Sequence, residues 1–533
     1  MMTLNTRHLF SYAAGALASL AAINAADSTS TPPETPAGTS IEGDYTGALR
    51  PRAHFSPPKG FMNDPNGMFV DNNGTWHLYY QYNPTDIVAG NQHWGHATSP
   101  DLYHWTNQPI ALAPPNSTAG VFSGSAVLDP NNTSGFFPNT TDGVVAIYTL
   151  NTPERQVQEL AYSYDNGYTF TTYDEGNPVL DVGSNQFRDP KVIWYEDHWV
   201  MVIAYASEYT IGIFTSPDLK DWTHASNVSH VGLLGIQYEC PNLAKVPVGN
   251  SDSSNVTTSD GESEYVLTIS LNPGAPLGGS ITQYFPGSFN GTHFTPRDNA
   301  ARLSNFGKDD YAGQFFYDHP VSIGWASNWQ YTNSVPTGNE GWRSAMTLPR
   351  KNYIQDNGIA GYQLVQEIYD LSPILKNRLQ INDDAANGTT SAHFTNAVYF
   401  DINVTLPDSP TFETVAGINF TFSADGTDEY LKSAYAFAGS VPYSVWIDRG
   451  HLDGFEHPYF TDKFLGSQVR AAKRIQGVFD RSLFEVYVDG GAVVGTSVVF
   501  PSTPLTKLDI GSSGLPEGAQ VSVAIWELED TWA

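Results

Sequence analysis

From residue 51 to about residue 360 the chain is a succession of short runs: "TWHLYYQYN", "VVAIYTL", "HWVMVIAYA", "IGIFTS", "EYVLTISL" and "VSIGWASNW". They are rich in aromatic and β-branched residues and are separated by Gly, Pro, Asn and Asp. Almost nothing before residue 360 has a helical period. Runs of this length and make-up are strands, so this part of the chain is all-β. A weak repeat runs through it. "SPDLYHW" (99–105), "SYDNGYTF" (163–170), "SPDLKDW" (216–222) and "FPGSFNGTHF" (285–294) each set a polar turn before an aromatic, after apolar strands. Irregular repeats of short strands point to propeller blades, and some 300 residues at that spacing make about five. A large sandwich with similar hairpin turns gives the same pattern.

Strands return beyond residue 380, in "AVYFDINVTL", "GINFTFSA", "YSVWIDRG", "SLFEVYVDGGAVVGTSVVF" and "VSVAIWELE". In "LFEVYVDGG", Phe484, Val486 and Val488 alternate with Glu485, Tyr487 and Asp489, the pattern of a half-buried antiparallel strand. A β-sandwich follows. The expected organisation is a five-bladed β-propeller over 49–362, a linker with a short helix over 363–380, and a sandwich over 381–533.

Residues 1–25 have the form of a signal peptide: Arg7, an apolar stretch over 9–22, and "INA" before Ala26. Residues 26–48 are Ser/Thr/Pro-rich and are expected to be a flexible arm. Eleven N-x-S/T sequons, from Asn73 to Asn419, agree with secretion. No other stretch is apolar enough to span a membrane. The formal net charge of −30 disfavours nucleic acid and anionic lipid as partners. With one cysteine, Cys240, no intrachain disulfide can form, so stability must come from a large core, glycans or assembly.

Three carboxylates stand out by context: Asp64 in "MNDPNG", Asp189 in "FRDPKV" and Glu239 in "YECPNL". Asp-Pro is a common turn starter, and any one of these could be only that. In a propeller, however, the innermost strand of every blade lines one channel, so residues far apart in sequence converge. Convergent carboxylates suit glycoside hydrolysis, with one as nucleophile and another as an acid of raised pKa. Glu239, next to the Cys240 thiol, is expected to be the desolvated acid, and Asp189, next to Arg188, to stay ionised. His93 and His96 have a loose H-x₂-H spacing without a third ligand nearby, so no metal site is expected.

These stretches resemble the β-fructofuranosidases of glycoside hydrolase family 32. The matching segments are "HFSPPKGFMNDPNG", "WHLYYQYNP", "WGHATSPDLYHW", "FSGSAV", "NQFRDPKV", "YECPNL", "GWASNWQY", "GWRSAMTLPR" and "FDRSLFEVYVDGG", in the family's order, over residues 54–490. Phe61 stands where the family usually has Trp. The resemblance implies a five-bladed propeller with a sandwich, a retaining mechanism, and no cofactor. It also implies Asp64 as nucleophile, Asp189 as transition-state stabiliser and Glu239 as acid/base. The matching sugar contacts are Phe61, Met62, Asn63, Gln81, Trp94, Phe122, Ser123, Arg188 and Trp329. Sucrose and fructo-oligosaccharides are the implied substrates, and a homodimer or larger even oligomer through the sandwich the implied assembly. Exo-inulinases, levanases and fructosyltransferases share the three carboxylates and remain open.

Overall fold

The computed structural model describes residues 39–249, 258–358, 361–408, 410–412, 415–437 and 443–532. The expected signal peptide and most of the expected arm lie outside them. The described elements are strands and short 3₁₀ turns, with no α-helix among the described residues.

Each sheet of the first part starts from an inner strand: β1 (Gly60–Val70), β2 (Gly120–Leu128), β3 (Phe187–Tyr195), β4 (Tyr238–Gly249) and β5 (Tyr311–Phe315). From β1, β2, β3 and β4 the chain meanders outward, each strand antiparallel to the one before. The β4 meander joins the sheet holding β5 through a short parallel pairing, Val248 with Ile354 and Gly249 with Gln355. The result is a β-propeller, with apolar side chains packed between neighbouring sheets.

The weak sequence repeat falls on the turn between the third and outermost strands of four meanders. In three of them a Ser and an Asp two residues on cap the turn. Leu102 N and Gly167 N donate to Ser99 and Ser163 at 2.8 Å, and Asp218 accepts from Lys220 N and Asp221 N. Asp and Ser recur because their short side chains satisfy turn amides that no strand can.

The second part is a β-sandwich of two six-stranded sheets. Its core is aromatic, with Phe400, Phe420, Phe422, Phe479 and Phe484 fully buried between the sheets.

Three expectations need correction. The segment expected as a linker with a helix is mostly strand. Tyr362–Ile368 pairs with Arg350–Asp356 in the propeller, and Leu375–Asn382 pairs with Gln520–Leu528 in the sandwich. Only residues 369–374 cross over, with one 3₁₀ turn at Ser372–Ile374. Secondly, the end of the arm is packed, since Tyr45 stacks on Trp532 at 3.9 Å.

Thirdly, the strand β6 (Leu483–Val488) is buried on both faces. Phe484, Val486 and Val488 face the sandwich core, as the alternation requires. The polar face is covered by the propeller, whose Arg350 Nη2 and Leu348 N donate to Glu485 at 2.6 Å and 3.0 Å, beside Thr496 Oγ1 of its own sheet at 2.9 Å. Arg350 also reaches Asp310 at 2.6 Å, and nearby Arg449 pairs with Asp309 at 2.8 Å. Sequence alternation reports polarity, and here the polar face meets charge instead of water.

Candidate active site

The segment "GFMNDPNGMF" is full of turn formers, yet it lies within an eleven-residue strand that is almost entirely buried. Two breaks in register against Trp76–Asn83, between Met62 and Pro65 and between Asn66 and Phe69, make this possible. A β-bulge bends the strand and leaves residues out of register, here Asn63–Asp64 and Gly67–Met68. Gly67 is required where it stands. Its φ is +48°, and a Cβ there would come within 2.9 Å of the Trp94 ring.

All five inner strands break register at comparable places. The breaks span Phe122–Ser123 in β2, Asp189–Pro190 in β3, Cys240–Pro241 in β4 and Ala312–Gly313 in β5. Asp189, Cys240 and Ala312 have φ of +66°, +43° and +50°. Such backbone costs about 1–3 kcal/mol per residue and re-aims side chains that a regular pleat would bury between sheets.

The bulges bring the three carboxylates together. Asp64 accepts from Ser123 Oγ at 2.7 Å, Asn63 Nδ2 at 3.1 Å and Cys240 Sγ at 3.3 Å. Asp189 accepts from Cys240 N at 2.9 Å, with Cys240 Sγ 3.6 Å from the same oxygen. Glu239 accepts from Arg188 Nη2 at 2.7 Å, from Arg188 Nε at 3.2 Å and from Gln237 Nε2 at 3.3 Å. Tyr311 donates its hydroxyl to the other Glu239 oxygen.

Two electrostatic expectations change. The Cys240 thiol hydrogen-bonds to Asp64 and Asp189, not to Glu239. Burial and the Asp189, Asp64 and Glu239 charges push that thiol well up, so it stays an S–H donor. Arg188 forks onto Glu239 and stays 4.0 Å from Asp189. Burial raises the Asp189 pKa against the pull of Arg188, with the Glu239 and Asp64 charges adding to the rise. Burial raises Asp64 as well, opposed by the Ser123 and Asn63 hydrogen bonds.

The other expected residues pack on the strands that carry the cluster. Gln81 donates to Val121 O and Trp94 to Phe122 O, both at 3.0 Å, fixing β2 behind Ser123. Phe122 is half-buried. The Met62 carbonyl accepts from Trp325 Nε1 at 3.0 Å and from Ser344 Oγ at 2.7 Å. Phe61 packs on Trp329 and Trp325, with ring centroids at 6.1 and 6.4 Å. His93 and His96 do not meet: His96 stacks on Tyr79 and contacts His77 at 3.1 Å, while His93 bonds the Asn91 carbonyl. Among the described residues no group of three or more His, Cys, Asp and Glu is arranged to hold a metal ion.

Sequence reasoning missed Tyr311 and Gln237. Tyr311 opens the last inner strand in "DDYAGQFF", with no Asp-Pro or Glu-Cys-Pro step to mark it. Only its place, one residue before a bulge like those beside Asp64 and Glu239, sets it apart.

Buried carboxylates converging on a propeller's inner strands are the arrangement of a carboxylate-based glycoside hydrolase. Residues 54–367 match the glycosyl hydrolases family 32 N-terminal domain and residues 372–527 the family 32 C terminal. Invertase 2 of Saccharomyces cerevisiae is 41% identical over 495 residues, 85% of this chain and 90% of that one. An extracellular exo-inulinase of Meyerozyma guilliermondii is 41% identical over 498 residues, 87% of this chain and 92% of that one. The structure of a β-fructofuranosidase from Schwanniomyces occidentalis complexed with fructosyl-erythritol superposes with a TM-score of 0.81 at 36% identity, covering 91% and 99% of the two chains. The chain belongs to glycoside hydrolase family 32.

Proposed function

We propose that the chain is a secreted, retaining β-fructofuranosidase that releases the terminal fructose of sucrose and short fructo-oligosaccharides. The observation that carries this is the meeting of Asp64, Asp189 and Glu239 on three bulged inner strands, each with its own set of hydrogen-bond donors. The relatives named invertase and the relative complexed with fructosyl-erythritol support the substrate class.

In this reading Glu239 protonates the glycosidic oxygen while Asp64 attacks C2 of the fructosyl unit. Arg188 and Tyr311 fix the orientation of Glu239. Ser123, Asn63 and Cys240 fix Asp64, leaving it one geometry of attack. Asp189, held by the Cys240 N–H, faces the sugar hydroxyls as positive charge grows on the ring. Glu239 then takes a proton from water, which attacks C2 and frees Asp64. The named sugar contacts, Phe61, Met62, Asn63, Gln81, Trp94, Phe122, Ser123, Arg188 and Trp329, belong to the same reading. So do the division of the composite sheet into two blades, giving five, and the pairing of two chains through the sandwich.

The test is kinetic. Asp64→Ala and Glu239→Ala should each cost about 5 kcal/mol or more of transition-state stabilisation on sucrose, with folding kept. A folded Asp64→Ala protein with a tenth of the parent rate would refute the assignment. A second reading, exo-inulinase, is favoured by the exo-inulinase relatives, and initial rates on sucrose against inulin decide it.

A further inference from the structure

Of the two sandwich sheets, the one holding β6 meets the propeller. The other includes the strands Ala416–Ser423, Tyr430–Phe437, Tyr443–Asp448 and Lys463–Gln468, side by side. Ile418, Phe420 and Phe422 enter the core, so Asn419 and Thr421 face outward.

Register sets one row across that outer face. Asn419 pairs with Ala434, Ala434 with Trp446 and Trp446 with Leu465. Trp446 is therefore two strands from Asn419, about 10 Å, with only the Ala434 methyl between them. Lys432, on the same face, holds its ammonium 5.9 Å from the Trp446 ring centre. Leu465, at the end of the row, is 63% exposed. An indole laid open on a sheet among small and polar neighbours is a surface that lacks its cover.

The row itself carries a candidate cover. Asn419-Phe420-Thr421 is an N-x-S/T sequon, set inside a strand. The side chains of Asn73, Asn116, Asn132, Asn290 and Asn387, which also open sequons, hydrogen-bond to neighbouring groups. Asn419 makes no such bond among the described residues. The C–H faces of a pyranose are apolar and pack on an indole, while its hydroxyls stay in water.

We propose that Asn419 carries an N-glycan whose first sugars lie along this row, over Ala434 and onto Trp446, as a covalent cover of the sandwich's outer face. This rests on the secreted reading above, because the glycan donor is met only on that route. Asn419 Nδ2 attacks the anomeric carbon of a lipid-linked oligosaccharyl diphosphate and forms the C–N bond. The C–O bond to phosphate breaks with its electron pair on the diphosphate, and the amide gives up one proton. Nothing is oxidised or reduced. The strand then folds with the sugar already attached, and the pairing register lays it toward Trp446.

The test uses the chain secreted from a yeast host, with its own N-glycans as the probe. Peptide mass reads occupancy at Asn419. Hydroxyl-radical oxidation reads the exposure of Trp446, with Tyr459, 56% exposed, as reference. Asn419 should be occupied. Trp446 should be oxidised several-fold faster in Thr421→Ala, which removes the sequon but keeps Asn419, and in Asn419→Gln. In thermal unfolding of secreted protein, Thr421→Ala and Trp446→Ala should each lower the midpoint. The double variant should fall short of their sum, because both remove one contact. In protein made without glycans the two changes should add. An unoccupied Asn419, unchanged Trp446 oxidation in both sequon variants, or additive midpoints in secreted protein would overturn the proposal. So would Trp446 protection that follows protein concentration rather than the glycan, which would place a second copy on this face. A parent retained in the cell would instead overturn the secreted reading, and the proposal with it.

Discussion

Cys240→Ala separates the two roles a thiol could have beside these carboxylates. In the structure the S–H points to Asp64 at 3.3 Å, and Glu239 takes its hydrogen bonds elsewhere. A hydrogen bond to an ionised group contributes about 1.5–3 kcal/mol, and a thiol, as a weak donor, belongs at the low end. With Asp64 as the proposed nucleophile, losing about 1.5 kcal/mol from its ionised form should lower kcat/KM on the acidic side about tenfold. The sign follows from which form the donor favours. The S–H stabilises the carboxylate, so its removal raises the Asp64 pKa further, and activity is lost sooner as pH falls. The acidic limb of kcat/KM moves to higher pH while the alkaline limb stays. Cys240→Ser keeps a donor and should shift less. The assay is kcat/KM on sucrose from about pH 3 to 8, with folding checked by circular dichroism. A displaced alkaline limb with an unmoved acidic limb would refute the reasoning and return the thiol to Glu239.

Other outcomes follow from the interface between propeller and sandwich. Arg350→Met leaves Asp310 buried without its cation and Glu485 with His54 alone, and should cost about 3–5 kcal/mol in denaturant unfolding. Burial alone would lower the His54 pKa, but the hydrogen bonds its ring donates to Asp480 and Glu485, with their charges, raise it to about 9. Its contribution is full below pH 6.5 and is lost as pH rises through 9, about 3 kcal/mol in all, and His54→Gln should flatten that loss in thermal unfolding. Glu485, lowered to about 2 by Arg350 and His54 against its burial, sets the opposite limb, with stability lost as pH falls from 4.5 through 2. Light scattering on deglycosylated protein at micromolar concentration should give an even multiple of the chain mass; a monomer would end the proposal of pairing through the sandwich.

Much of this was legible in the sequence because each signal was local. Alternating aromatic and β-branched runs announce strands, and the Ser-x-Asp turns recur because turn amides need short acceptors. Asp64, Asp189 and Glu239 were findable because each lies within two residues of a proline early in a strand. What stayed hidden depends on neighbours in space. The direction of the Cys240 side chain is set by a bulge with positive φ, which a cysteine does not advertise. Arg188 adjoins Asp189 in sequence but reaches across to Glu239, because the next inner strand is closer than the next residue's carboxylate. Tyr311 carries no local mark, and the buried polar face of β6 reads as a wet one until the propeller is placed against it.

Asp309, Asp310 and Tyr311 are consecutive, and each answers to a different part of the molecule. Asp309 holds Arg449 of the sandwich, Asp310 holds Arg350 at the seam, and Tyr311 holds Glu239. Three neighbouring residues cannot move independently over ångströms. Prising the sandwich from the propeller should therefore drag on Glu239 at the same moment. On heating, inactivation and separation of the two parts should be one failure rather than two, and a chain cut near residue 370 should lose activity along with its second domain. The sandwich serves as the brace of a joint whose other end is the Glu239 carboxylate.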